Sequence, residues 1–448
     1  MSAAGHQPYA ALAHATFRRY AAGALPHTIG QQMAMLAVSW QIYRLTHSAF
    51  ALGLVGLVEV VPIVGLALPA GQLADRVSRR RLAMAVSLLG GACFLALGLF
   101  SAELLPPPSG RLISACNHAL TALSHACGET GARFDSGLVP VLYVLLALLG
   151  VARAFGGPAR AALLPTLVPL EAFTNAVTWN SSFFQLSSVI GPALGGLLVA
   201  WCAASRWQYA LVYFLATASA ALLAGVLYSL PERRSEADPQ PVTRASLLAG
   251  IRFVGEQRII LATITLDLFA VLLGGAVALL PIYADQILHV GPSGLGLLRA
   301  APSVGAVLTA LVMAHRPPLR RAGPALLWAV AGFGLATIVF GLSRLFWLSL
   351  TMLFVTGVLD NISVVVRHTL IQLLTPDVMR GRVSAVNQVF ISLSNELGAL
   401  ESGLVAAWFG PVVSVVGGGV GTILVVLVVM QVWPEVARLR ELDRAPAG

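Results

Sequence analysis

Several ionisable residues lie inside long apolar runs of the chain: Glu59, Asp267, Asp360, Glu396 and Glu401, with Arg153 and Arg299. A charge at the centre of a bilayer costs at least ~2.5–3.5 kcal/mol on insertion scales, so each of these needs a reason. Counted from the ends of their runs, Glu59 and Glu396 fall near the middle. Asp267, Asp360 and Arg153 lie in one half, and Glu401 and Arg299 in the other. A carboxyl removed from water holds its proton more tightly than in solution, so it can load and release protons near neutral pH. Glu59, Asp267, Asp360 and Glu396 are therefore candidates for coupling proton movement to work. The competing reading is ion pairing, with Arg153 and Arg367 as the pairing candidates. Asp360 meets Arg153 if symmetry brings their helices together. Arg367 and Arg160 sit at equivalent helix ends and read as clamps or anchors. Glu401 is five residues beyond Glu396, about 140° round a helix, so the two cannot face one cavity equally.

Polar stripes accompany these charges. Thr28, Gln31, Gln32, Met35 and Ser39 share a helical face, as do Thr178, Ser181, Ser182, Gln185 and Ser188. Thr356, Asp360, Ser363 and Arg367 form a third stripe, and Gln388, Ser392, Asn395 and Ser402 a fourth. Spacings of three, four and seven put each set on one side of its helix. Such a stripe faces another helix or water, seldom lipid. Gln31, Gln32, Met35, Ser39, Ser182, Gln185, Gln388 and Asn395 are the candidates for lining a substrate cavity; hydrogen bonding between helices without transport is the alternative.

Other chemistries find no constellation. The nine histidines are scattered, and His118 and His125 have no partners at zinc-ligand spacing. The four cysteines are not framed as a metal site or redox pair. All 28 basic residues are arginine, so a phosphate loop ending in Gly-Lys is impossible and an ATP-driven pump made by this chain alone is not expected. No metal and no cofactor are expected. The net charge of +9 suits nucleic acid poorly, because the arginines sit in short loops between apolar runs.

The elements that must position these residues are membrane spans. Hydrophobic residues make up 57% of the 448, charged ones 10%, and mean hydropathy is +0.83. A soluble surface carries roughly 25% charged residues. Runs of about 20 apolar residues predict twelve spans, near 20–43, 48–70, 82–102, 138–159, 175–201, 207–230, 259–284, 293–314, 324–342, 345–366, 384–409 and 411–433. The expectation is an all-α polytopic membrane protein. With the N-terminus cytoplasmic, 20 arginines fall on the cytoplasmic side and only Arg44, Arg111, Arg133, Arg206 and Arg344 opposite. Both termini are then inside by the positive-inside rule. No cleavable signal is evident before the first span. The expected organisation is a six-helix bundle over 1–230 with an external insert at 103–137, a cytoplasmic linker at 231–258, a second bundle over 259–433, and a tail at 434–448. In the insert, Cys116 and Cys127 could pair outside the cell or stay as free thiols.

The two bundles repeat. Gly150-Val-Ala-Arg153, Arg160 and Leu164-Pro165 run parallel to Gly357-Val-Leu-Asp360, Arg367 and Thr375-Pro376, in spans four and ten. Two six-span repeats point to a transporter with its site near the bilayer midplane. Between spans two and three stand Gly71, Asp75, Arg76, Arg79 and Arg80, with Ser78 and Arg81. This loop resembles motif A of the major facilitator superfamily, with Ser78 in place of the usual Gly. Span five carries Ser187, Gly191, Pro192, Gly195 and Gly196, which resemble motif C, the antiporter signature, with Ser187 for its first Gly. Arg153, followed by Gly156 and Gly157, is similar to the motif B arginine. The stretches around Leu266-Asp267, Gly294 to Pro302, Arg380-Gly381-Arg382 to Asn387, and Ser394-Asn395-Glu396-Leu397-Gly398 with Glu401-Ser402-Gly403 are similar to the enterobactin-exporter-like and drug-efflux branch.

That resemblance covers nearly the whole chain except the insert and the tail. It implies the major facilitator fold of two six-helix pseudo-repeats. It further implies proton-driven alternating access in a bacterial cytoplasmic membrane, and export of a small amphipathic molecule such as a siderophore or drug. Asp75 and the arginines of its loop would gate the cytoplasmic side, and the protein would work as a monomer in the bilayer. A facilitator-type importer is the alternative within the fold. A polytopic membrane enzyme, or a sensor, is the alternative outside it; the spread of polar groups across the depth of the bilayer argues against an enzyme clustered at one face.

Overall fold

The computed structural model describes residues 9–231, 244–315 and 321–439. Most of the expected linker, the tail from 440, and the loop arginines Arg233, Arg234, Arg316 and Arg320 lie outside the described residues. So do the side chains of Asp75, Arg76, Arg380 and Arg382 within their helices.

Every expected span is helical, and no strand occurs among the described residues. In chain order the helices are α1 (Ala15–Thr46), α2 (Ala49–Arg76), α3 (Arg79–Ser101), α4 (Leu138–Leu163), α5 (Leu170–Trp201) and α6 (Ala210–Ser229). The second six are α7 (Arg258–Leu273), α8 (Gly291–Ala314), α9 (Ala322–Leu342), α10 (Phe346–Leu374), α11 (Asp377–Phe409) and α12 (Pro411–Val432). Ten of the spans are apolar and long enough to cross a membrane on composition alone, α7 only together with its continuation to Ile287. The remaining two, α1 and α11, have 32 and 33 residues, roughly 48 Å at 1.5 Å per residue. Length is ample there; the polar stripes are what lower their hydropathy.

Local signals set the boundaries. Ser78 caps α3 by accepting a hydrogen bond from the Arg81 amide, in keeping with serine's preference for that position. Gly410, at φ +89°, turns the chain so that Pro411 can open α12. Span seven departs from the single helix expected over 259–284. It stops at Leu273, passes Gly274 and Gly275, and continues as a 3-10 turn (Ala276–Leu279) and a π turn (Tyr283–Ile287). The break has a packing cause: a Cβ on Gly275 would lie 2.5 Å from Ser402 Oγ and 2.6 Å from the Gly398 carbonyl. Only glycine lets α11 come that near.

The chain forms two compact units. The first comprises Met1–Val38, Val61–Pro107 and Val144–Val242, the second Ser39–Val60, Pro108–Tyr143 and Thr243–Gly448. Helices α1, α2 and α4 therefore give one end to each. Within the first unit, Phe17, Tyr20, Leu82, Leu163, Leu223 and Leu227 share a buried cluster. In the second, Leu266, Leu326, Leu370 and Val429 do the same. Lipid offers no hydrophobic drive between spans, so contact rests on close packing of small residues. Gly195 in α5 lies against Met33 in α1, with room for a Cβ no more than 3.0 Å from the Met33 Cα.

The insert carries a helix, Arg111–Ala126, that composition alone did not reveal. It also removes the possible Cys116–Cys127 pair. The two residues are eleven positions apart along one helix and its cap, about 16 Å of rise, well beyond disulfide reach. Both are free thiols, Cys116 exposed and Cys127 half-buried.

Candidate functional site

The second unit assembles two of the four candidate carboxylates with an arginine. Asp267 comes from α7, and Asp360 and Arg367 from α10, two turns apart on one face. Arg367 is 2% exposed and forms an ion pair with Asp267. Asp360 also lies within the field of both Asp267 and Arg367. A cavity of about 20 Å³ is lined by Asp267, Asp360, Ser363, Ala270, Val271, Val330, Phe333 and Leu359. That is room for about one water molecule. The Asp267–Arg367 pair thus lies near a second carboxyl, and both carboxyls line a water-sized space whose other walls are Ser363 and apolar side chains. Chemically, such a set can bind, hold and pass on a proton.

The helix positions follow from packing. α10 approaches α8 so closely that a Cβ on Gly357 would collide with the Pro302 carbonyl. This fixes the rotation of α10 and with it the direction of Asp360, three residues on. The sequence offered Asp267 and Asp360 as proton-coupling candidates and Arg367 as a charge-pairing candidate, and the structure pairs Asp267 with Arg367. The available signal was the seven-residue spacing from Asp360 to Arg367, which puts both on one stripe about two turns apart.

The other two carboxylates lie elsewhere in the same unit. Glu59 in α2 is 2% exposed. Together with Glu396 in α11 it bears electrostatically on Arg299 of α8. α2 and α11 cross tightly here: Gly53 lies on Gly403, where a Cβ would meet the facing Cα at 3.0 Å. One turn along, a Cβ on Gly56 would stand 3.3 Å from Glu396 Oε2. Glu401 is half-buried and accepts a hydrogen bond from the neighbouring Ser402 hydroxyl at 3.4 Å.

In the first unit the polar stripes of α1 and α5 meet. Gln32 donates from Nε2 to Ser188 Oγ at 2.9 Å. Gly191 and Pro192 are buried at that crossing, Gly195 and Gly196 a turn further on. Gln31, Met35, Ser39 and Gln185 are half-buried, and Ser182 is exposed. Gln388 and Asn395 of α11 are exposed too, with Asn395 Nδ2 donating to the Ile391 carbonyl of its own helix. Arg153 is exposed on α4. Of the motif A-like residues, Gly71 has open space around it. Arg79 donates to the Ala162 carbonyl at 3.2 Å, and Arg80 to the Tyr228 carbonyl at 3.1 Å. Both arginines thus hold helix C-termini, the end of the dipole that favours a cation. Among the described residues no group of three or more potential metal ligands occurs.

Residues 20–394 match the family model of the Major Facilitator Superfamily, and the chain belongs to that superfamily. It is a multi-pass membrane protein and a secondary transporter of small molecules rather than an enzyme. Its relatives include the enterobactin exporter EntS of Citrobacter koseri, 30% identical across 92% of this chain and 90% of that protein. EntS of Escherichia coli O157:H7 is 28% identical across 91% and 89%. Two solved structures share the fold. A bacterial homologue of the human lysosomal transporter Spinster, inward-facing and occupied, superposes with a TM-score of 0.69 at 14% identity, covering 99% of this chain and all of that one. A D-xylose–proton symporter gives 0.66 at 15% identity, covering 94% and 98%.

Proposed function

We propose that this protein exports a small amphipathic molecule of the catecholate-siderophore or drug-like kind from the bacterial cytoplasm in exchange for protons. The observation that carries the coupling is a water-sized cavity lined by Asp267 and Asp360, with Asp267 ion-paired to Arg367. Two carboxylates against one guanidinium leave the set one negative charge in excess, and a single proton neutralises it. Burial makes that neutralisation matter, because an uncompensated charge in a dry interior is expensive. A proton arriving and leaving therefore changes the free energy of this part of α7 and α10, which is the requirement for coupling. The exporter reading rests on the EntS relatives, which align over nine-tenths of the chain.

In this reading both termini are cytoplasmic, as the arginine distribution indicates, and the insert near 103–137 is periplasmic. The bundles over 1–230 and 259–433 are the moving halves, joined through the 231–258 linker, with Asp75 and the arginines of its loop acting at the cytoplasmic end. Gln32 and Ser188, with Gln31, Met35 and Gln185 on the same helical faces, offer polar groups on an otherwise apolar wall, suited to an aromatic substrate with polar edges. The working unit is a monomer. Glu59 and Glu396 remain second-line coupling candidates beside Arg299.

The test is transport in proteoliposomes carrying a pH gradient, with an amphipathic fluorescent dye and a catecholate siderophore as cargo. Asp360→Asn and Asp267→Asn should abolish gradient-driven accumulation while leaving gradient-free exchange of cargo measurable. If both variants, together with Glu59→Gln and Glu396→Gln, accumulate cargo like the parent, coupling by these carboxylates is wrong. If the parent moves neither cargo, the substrate class is wrong.

A further inference from the structure

The insert lies outside every motif shared with the superfamily, yet it touches three spans. Its helix Arg111–Ala126 folds against the following segment, with Asn117 Nδ2 donating to the Ser136 carbonyl and the Glu129 amide to the Ser124 carbonyl. From that base, residues 128–134 reach the ends of α1, α2 and α11. The Glu129 carboxylate takes hydrogen bonds from the Ala49 amide at 2.7 Å, the Phe50 amide at 3.2 Å and the Ser48 hydroxyl. It therefore caps α2 from a distance of 80 residues in sequence, satisfying amides that a helix start leaves open. The Arg133 amide donates to the Thr46 carbonyl at the end of α1, at 2.9 Å. Gly128, at φ +81°, sits over the last turn of α11; its Cβ position is 3.8 Å from the Ala407 carbonyl and from Trp408 Cδ1. Beneath this lies the crossing of α2 on α11 at Gly53 and Gly403. Phe134 is buried, and Tyr143 at the start of α4 donates from its hydroxyl to the Ala51 carbonyl at 2.9 Å.

We propose that the insert is a periplasmic strap. It is bonded to the outer ends of α1 and α2, with Glu129 as the fastening residue, it lies against the outer end of α11, and it must shift for the outer side to open. A loop serving only to connect α3 to α4 would have no need to cap α2 and rest on α11 together. An opening that draws Gly53 away from Gly403 must part residues 128–133 from one of the two, since they are bonded to α2 and lie beside α11. The strap therefore sets how readily α2 and α11 part at this end, and its loss favours their separation. This rests on the sidedness and the transport reading given above.

Hydrogen–deuterium exchange of the full-length protein in nanodiscs tests the fastening without any substrate. Glu129→Ala removes hydrogen bonds to a charged acceptor, so exchange should rise about tenfold or more, both over residues 53–60 of α2 and over 396–407 of α11. Glu129→Gln, which keeps an acceptor oxygen and the side-chain shape, should give a smaller rise in the same two stretches. A rise confined to residues 48–51 would mean that Glu129 is a local cap only, and would overturn the proposal. The release is tested by pinning. On a background with Cys116, Cys127 and Cys202 replaced by serine, Ser48→Cys and Glu129→Cys are joined by a short reducible crosslinker. Dye export should stop on crosslinking and return on reduction, which also shows that the pinned protein is folded. Export unchanged by the crosslink would overturn the proposal. Failure of the proton-coupling reading would leave both results standing, because neither depends on Asp267 or Asp360.

Discussion

Spans four and ten occupy one repeated frame and use it differently. In α4 the frame holds Arg153, exposed, and Arg160, whose Nε donates to the Gly156 carbonyl of its own helix. In α10 it holds Asp360 and a nearly inaccessible Arg367 that binds an acid from α7. The frame was kept and the chemistry was not. The first unit offers neutral hydrogen-bonding groups, typified by Gln32 on Ser188; the second holds the buried ion pair. The two regions thus differ in kind: neutral dipoles pair across α1 and α5, and charges pair across α7 and α10.

The comparison breaks most decisively at the arginines. Arg367→Ala leaves Asp267 as an uncompensated buried acid and should cost about 3–5 kcal/mol, read as a fall in the thermal unfolding midpoint in one detergent. Arg160→Ala, at the equivalent position, should stay within about 1 kcal/mol. Equal losses would show that the two copies are not specialised. The double variant Asp267→Asn/Arg367→Gln should recover much of the stability and none of the proton coupling.

A second contrast lies in the glycines. Gly357→Ala forces a methyl into the Pro302 carbonyl and should destabilise by about 1–3 kcal/mol or more. Gly157→Ala in α4 meets open space and should be neutral or gain up to about 1 kcal/mol of helix propensity. Thermal unfolding again reads both. The smallest effect belongs to Gln32→Ala. It loses one neutral hydrogen bond, about 1 kcal/mol, while Ser188 still donates to the Phe184 carbonyl at 3.0 Å. Its signature should be a raised KM for cargo at nearly unchanged stability. A collapse of stability instead would make the α1–α5 contact structural rather than a site of recognition.

Much of the architecture was legible because membrane spans announce themselves by length and hydropathy. Even α1 and α11, too polar to pass as spans on composition, were marked by glutamines and serines recurring at helical spacing. The acids of the site were equally visible, since Asp267 and Asp360 interrupt apolar runs. Partner choice was not. No spacing along the chain links Asp267 to Arg367; their meeting follows from how α7 and α10 pack, with α10 held close to α8 at Gly357, a matter of backbone contact. The interruption of α7 was hidden for a similar reason: Gly274-Gly275 reads as ordinary small-residue packing until α11 is seen pressing on it. The reach of Glu129 to α2 was invisible because no local pattern links residues 80 apart.

That interruption in α7 has a mechanical consequence. Asp267 lies on one side of Gly274-Gly275, and on the other Asp285 holds Arg44 of α1 at 3.2 Å. The regular ladder is already absent between them, where the Ala276 amide bonds back only to Gly274. The two acids therefore stand on separately hydrogen-bonded segments of one span, so a displacement of one segment is not carried to the other along an unbroken helical ladder.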